Sequence, residues 1–174
     1  MTNHIVEINP STTVYELLNE YPELEDKLIE MAPPFKKLKN PLLRKSVAKV
    51  ATLKHISAVG DIPLADLINK IRKEVGQLES TEDYEDEIYF SNQPDWFSEE
   101  IIKISLVEGE SHDINEMTVV AVLREVKNVK QGEMIELVTT FLPAPGIDIM
   151  KSKGYSVWTT KGEVNTIKTY FLKK

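Results

Sequence analysis

Few side chains in this sequence could do chemistry. The 174-residue chain has no cysteine, which removes thiolate nucleophiles, disulfides, iron–sulfur ligation and cysteine zinc sites together. Its histidines are His4, His55 and His112. His4 lies near the terminus, and His55 follows Lys54 in a short helical pattern where a surface role is expected. His112 stands in a β-to-helix connection, a position that α/β proteins often use for ligands. With Glu108, Glu110 and Asp113 nearby it could contribute to a metal or proton-transfer site, although no H-E-x-x-H spacing supports this. Ser105 and Ser111 lack a nucleophile-elbow sequence, and the glycines are scattered singly, without a phosphate-loop or dinucleotide pattern. No catalytic residue, metal or cofactor is therefore expected. An acid/base or metal-dependent enzyme centred on His112 is the alternative.

Two further groups suit binding. Phe141, Pro143, Pro145 and Trp158, with Tyr170, could converge near a sheet edge as an apolar pocket or contact surface, where core packing is the competing role. Thr52 to Glu74 has the outline of a helix-turn-helix, with Ile62-Pro63 in the turn and Asn69, Lys70, Arg72 and Lys73 on the second helix. Its cations fall late in that helix, so nucleic acid binding through residues 36–73 is the least favoured reading.

Charge is strongly segregated within a net −7. Residues 1–35 carry −6, whereas 36–54 carry Lys36, Lys37, Lys39, Arg44, Lys45, Lys49 and Lys54 with no acid; residues 79–110 carry −10. Such a basic patch either meets an anionic partner or is answered by the chain's own acidic segment.

The elements that must position these groups follow from periodicity. From Asn9 to Gly76 the apolar spacing is helical: Val14, Leu17, Leu18 and Tyr21 after a Thr13–Glu16 capping box; Leu24, Leu28 and Met31 after Pro22; Leu42, Leu43, Val47 and Val50 after Asn40-Pro41. Leu53, Ile56 and Val59 follow Thr52 and are closed by Gly60, and Leu64, Leu67, Ile68 and Ile71 follow Pro63. Residues 77–100 are acidic yet hold Tyr84, Tyr89, Phe90, Trp96 and Phe97, which predicts a linker that packs on one domain or on a neighbouring chain. Beyond it, Ile102, Ile104 and Leu106 alternate as in a strand, and Val119 to Val129 repeat as a helix ended by Gln131-Gly132. Met134 to Phe141 is a second strand, Pro145 to Lys153 a second helix, and Tyr155 to Thr160 with Thr166 to Leu172 a hairpin around Gly162.

The predicted fold class is α+β. A bundle of about five short helices (1–76) and the linker (77–100) precede a β-α-β-α-β-β two-layer sandwich (101–174) with a mixed four-stranded sheet and both helices on one face.

Residues 101–174 resemble the TusA/SirA-like sulfur-transfer family, through Val119 to Val129, Gly132-Glu133, Phe141-Leu142-Pro143-Ala144-Pro145, Lys153-Gly154-Tyr155 and Tyr170-Phe171-Leu172. Residues 6–76 resemble an uncharacterised helical domain family through Thr13 to Leu18, Tyr21-Pro22-Glu23-Leu24 and Thr52-Leu53-Lys54. Many members of the helical family carry Cys-x-x-Cys where this chain reads Ala32-Pro33-Pro34-Phe35-Lys36-Lys37-Leu38. In the sulfur-transfer family a Cys-Pro-x-Pro motif begins the first helix; the matching stretch here is Asn115-Glu116-Met117-Thr118, which cannot form a persulfide. What the resemblance leaves is a helix start, capped by Asp113 or Asn115, that suits an anion.

The expectation is thus a non-catalytic binding or regulatory protein whose partner is another protein or a small anionic ligand. The ligand residues would be His112, Asp113, Asn115, Phe141, Pro143, Pro145 and Trp158, and a homo-oligomer through the aromatic linker is a further option. No stretch approaches the ~20 apolar residues of a membrane span, and Met-Thr-Asn-His-Ile-Val-Glu lacks signal-peptide character, so the cytoplasm is the expected location.

Overall fold

The computed structural model describes residues 5–110 and 118–174, and it separates into two compact units, Met1–Glu87 and Ile88–Lys174. The architecture is α+β: helices first, then a mixed four-stranded sheet with helices.

In the first unit α1 (Val14–Glu20), α2 (Glu25–Met31), α3 (Pro41–Ser46), α4 (Leu53–Gly60) and α5 (Leu64–Glu74) are joined by short 3₁₀ turns. Thr13 and Glu16 form the expected capping box of α1. The starts of α1 and α4 are bonded to each other: Val14 N–H donates to Ala51 O at 2.8 Å and Leu53 N–H to Thr12 O at 3.1 Å, either side of a Thr13–Thr52 bridge. The inward faces of α1, α4 and α5, with Leu17, Leu53, Ile56, Leu67, Ile68 and Ile71, supply core residues.

Three local expectations are corrected here. His55 is not at the surface: it is 7% exposed, and its Nδ1 accepts the Thr52 N–H at 3.0 Å, so the imidazole does for α4 what Glu16 does for α1. The left-handed residue that closes α4 is Asp61 (φ 52°) rather than Gly60. Gly60 is required for a different reason, since a Cβ there would lie 2.3 Å from the Met31 carbonyl oxygen. Finally, α3 stops at Ser46 and a 3₁₀ turn follows over Val47–Lys49. The inward positions go to Val47, Ala48 and Ala51, while Leu42 and Val50 point to solvent.

The second unit runs β1 (Ile102–Val107), α6 (Thr118–Glu125), β2 (Met134–Thr139), α7 (Ala144–Ser152), β3 (Ser156–Lys161) and β4 (Ile167–Leu172). The sheet order is β1-β2-β4-β3, with β1 and β2 parallel and the other pairs antiparallel. Val122 and Met150 from the two helices pack with Ile135, Leu137 and Phe171, so both helices cover one face. α6 ends well before Gly132. Lys173 Nζ donates to Val126 O at 2.9 Å and Val129 O at 2.8 Å, closing the turn after the helix with a cation where the carbonyls need one.

Ile102, Ile104 and Leu106 do not share a face, because β1 carries a bulge. Ile102 is opposite Met134, but Ile104 is opposite the very next residue, Ile135. The extra residue sends Ile102 to the other side of the sheet, where it joins Met134, Trp158 and Tyr170.

That face is covered by the segment leading into β1. Tyr89 is buried, and its hydroxyl donates to Asp148 Oδ2 on α7 at 2.9 Å. Phe90 bridges in parallel to Thr159 on β3, an edge strand. Ser91 O accepts the Trp158 indole N–H at 3.0 Å, and Phe97 then sits edge-on to Trp158 and Tyr170, each with ring centroids 4.7 Å away. Residues 89–97 therefore wrap the β3 edge from one face to the other, which blunts an edge that would otherwise offer unpaired backbone.

Candidate functional site

The clearest surface feature grows out of the basic segment. Pro33-Pro34 ends α2 and starts a 3₁₀ run over Pro33–Lys39. At three residues per turn Phe35 and Leu38 both face inward, so Lys36 and Lys39 face outward. Asn40 caps α3 by accepting the Leu42 N–H at 3.0 Å. Beyond it, Leu42, Lys45, Ser46, Lys49 and Val50 are all exposed. Leu42 is 77% and Val50 46% exposed, two large apolar side chains in a lysine-rich stretch.

Part of the basic patch is neutralised by α2 rather than by the acidic linker. Lys39 Nζ lies 3.3 Å from Asp26, and Arg44 donates to Glu25 at 2.7 Å. The Lys49 ammonium sits 5.1 Å from the centroid of the Tyr15 ring, a cation–π distance. Lys37 is half-buried. Lys36 and Lys45 make no ion pair with any described residue. From the linker, Glu87 pairs with Lys54 at 2.9 Å.

Two of the four helix-turn-helix side chains, Asn69 and Arg72, are committed within the unit, while Lys70 and Lys73 are exposed. Arg72 donates to Ile8 O at 2.9 Å and Leu78 O at 3.1 Å, and Asn69 exchanges two hydrogen bonds with the Ser80 backbone.

In the second unit the parallel strands β1 and β2 end side by side. There Glu108 accepts both the Thr140 N–H at 2.8 Å and its hydroxyl at 2.7 Å. Pro143 and Pro145 are buried at the start of α7, and Phe141 beside them is half-buried. Trp158 is not with them. Its place in β3 puts it on the face opposite α7, under Phe97 and stacked on Tyr170 at 5.2 Å. Trp158 therefore lies across the sheet from α7. His112, Asp113 and Asn115 lie outside the described residues.

On the same face as Trp158, the Ser105 hydroxyl donates to Glu136 at 2.7 Å, and Lys168 Nζ is 3.7 Å from the other carboxylate oxygen. Burial, and then the negative charge of Glu136, hold the Tyr170 hydroxyl well above the ordinary tyrosine range. Tyr170 is thus a neutral packing group. Among the described residues no cluster of three His, Asp or Glu side chains is arranged to hold a metal ion, and no helix is long and apolar enough to cross a membrane.

In the first unit, Leu42 and Val50 are exposed although their spacing placed them with the inward residues. A signal for Leu42 was present: at 3.6 residues per turn it lies about 140° around the helix from Val47.

Residues 8–68 match the family model of a domain of unknown function, DUF1858. The matched stretch runs from just before α1 into α5 and includes the whole cationic face. No curated protein and no solved structure matches the chain.

Proposed function

We propose that this chain is a non-catalytic binding or regulatory protein that engages a protein partner through the cationic, apolar face of its first unit. The observation that carries this reading is the exposure of Leu42 and Val50 on either side of the exposed Lys45 and Lys49 in the chain. A lone exposed leucine needs no explanation, but large apolar side chains rimmed by like charges suit a partner that is itself acidic and apolar.

The alternative, a small anionic ligand at the ends of the parallel strands, is less well served. Glu108 already takes the Thr140 donors that an anion would use, and it places a negative charge there. For the second unit, the β-α-β-α-β-β order and the sheet with both helices on one face support a TusA/SirA-like fold. Without a cysteine, that fold has no thiol on which to carry a persulfide.

The test is fluorescence anisotropy with a labelled synthetic peptide that interleaves Glu and Leu. Affinity should fall with added salt, and by about tenfold or more in Lys45→Glu/Lys49→Glu and in Leu42→Ser. Lys153→Glu, an exposed site in the other unit, should leave it unchanged. Equal binding by wild type and all three variants, or none by wild type, would overturn the proposal.

A further inference from the structure

The charge blocks of this chain are complementary but do not satisfy each other within one copy. The acidic segment meets the basic block where Glu87 pairs with Lys54. Glu79, Glu82, Asp83 and Glu85 are exposed and have no ion pair with a described residue, as is the case for Lys36 and Lys45. The acidic segment also begins with an unburied apolar side chain, Leu78, at 88% exposure.

This segment is held in place although it has no regular secondary structure. At one end Leu78 O accepts from Arg72 at 3.1 Å, and Ser80 N–H donates to Asn69 Oδ1 at 2.8 Å. At the other end Asp86 accepts the Leu64 N–H at 2.8 Å, and Glu87 meets Lys54. A strip fixed at both ends loses little conformational freedom when it is bound, which makes it a favourable ligand.

Resting on the docking surface proposed above, we infer that its occupant is a second copy of this chain: residues 78–87 of one molecule lie on the face formed by Leu42, Lys45, Lys49 and Val50 of another. Leu78 supplies the apolar contact, and Glu79, Glu82, Asp83 and Glu85 answer the lysines. If the contact is reciprocal across a two-fold axis the assembly closes as a dimer; if not, it grows into open chains.

Light scattering and sedimentation velocity on the full chain test this. At low ionic strength the mass should rise with concentration towards two chains or more, and it should return to one chain at high salt. Lys45→Glu/Lys49→Glu alone and Glu82→Lys/Glu85→Lys alone should each remain single chains. An equimolar mixture of the two should associate again, because each then offers what the other lacks. These four positions are all exposed, so the variants should fold. A wild type that stays monomeric at low salt, or a mixture that does not associate, overturns the inference. Peptide binding that is lost in Lys45→Glu/Lys49→Glu, alongside a monomeric wild type, would keep the docking face and refute only this occupant. Wild type that binds anionic lipid vesicles without self-associating would refute it in favour of a membrane surface.

Discussion

The acidic stretch from Tyr89 to Ile101 and the basic stretch from Lys36 to Val50 are alike in interleaving charge with large apolar side chains, yet the fold treats them in opposite ways. Tyr89 and Phe97 wrap the edge of a sheet and pack on it, and Trp96 and Ile101 join the same cluster. Leu42 and Val50 are left in solvent. The difference lies in what each stretch has beside it. The acidic one adjoins the sheet face opposite α6 and α7, where Met134, Trp158 and Tyr170 would otherwise be wet. The basic one adjoins a core already filled by Phe35, Leu38, Val47, Ala48 and Ala51. An apolar residue in a charged stretch is thus a folding element in one place and an unspent contact in the other.

The sharpest way to break this comparison is truncation at one position in each stretch's surroundings. Trp158→Ala should cost the second unit about 3–5 kcal/mol, because the indole is buried between Phe97 and Tyr170 and also donates to Ser91 O. Leu42→Ala should move the stability of the first unit by no more than about 0.5 kcal/mol. Urea unfolding monitored by far-UV and near-UV circular dichroism would follow both. A large loss for Leu42→Ala would mean that this side chain packs after all, and the docking face would lose its anchor.

The next effect concerns backbone approach in the first unit. Gly60→Ala would push a methyl group against the Met31 carbonyl, which belongs to the backbone and cannot rotate away, so a loss of about 1–3 kcal/mol is expected. Asp61→Gly should be neutral or stabilising, since the left-handed conformation strains the aspartate and not a glycine. If both variants behave alike, the assignment of separate roles to these neighbours is wrong. Tyr89→Phe comes below this, at about 0.5–1.5 kcal/mol, for the hydrogen bond to Asp148 that ties the wrapping segment to α7.

Much of the fold was legible because local signals agreed with one another. The Thr13–Glu16 box, Asn40 before Pro41 and the change from helical to alternating spacing at Ile101 each name their element directly. The misreadings arise where a local pattern is broken or answered by something the spacing does not show. The alternation of Ile102, Ile104 and Leu106 is perfect in sequence, and only the pairing with β2 reveals the bulge that turns Ile102 over. Val50 has helical spacing from Val47, but the helix has ended by then. His55 occupies the third helical position after Thr52, where a capping acceptor belongs, a role that a search for Glu or Gln passes over. The candidate face was less legible than the fold, because it consists of residues that the core did not use. Trp158 was read as a site residue for the converse reason: nothing local says that a segment sixty residues upstream will cover it.

The smallest expected effect separates the two capping residues, Glu16 on α1 and His55 on α4. The backbone N–H of Thr13, and then its hydroxyl, hold the Glu16 carboxyl below its ordinary value of 4.5. A carboxyl depressed by folding stabilises the folded state above that ordinary value, and the contribution is lost as the pH falls through the folded-state value. Glu16→Gln keeps the acceptor but removes the charge, both from the cap and from the positive end of α1. The difference from wild type should therefore be present at neutral pH, at roughly 0.3–1 kcal/mol, and towards the lower end because the group faces solvent. It should vanish in acid below the folded-state value, where both side chains are neutral. Unfolding midpoints taken across that range would show the two curves merging as the pH drops. If they stay parallel instead, the carboxylate charge contributes nothing to the cap, and α1 relies on the hydrogen bonds of Thr13 and Glu16 alone.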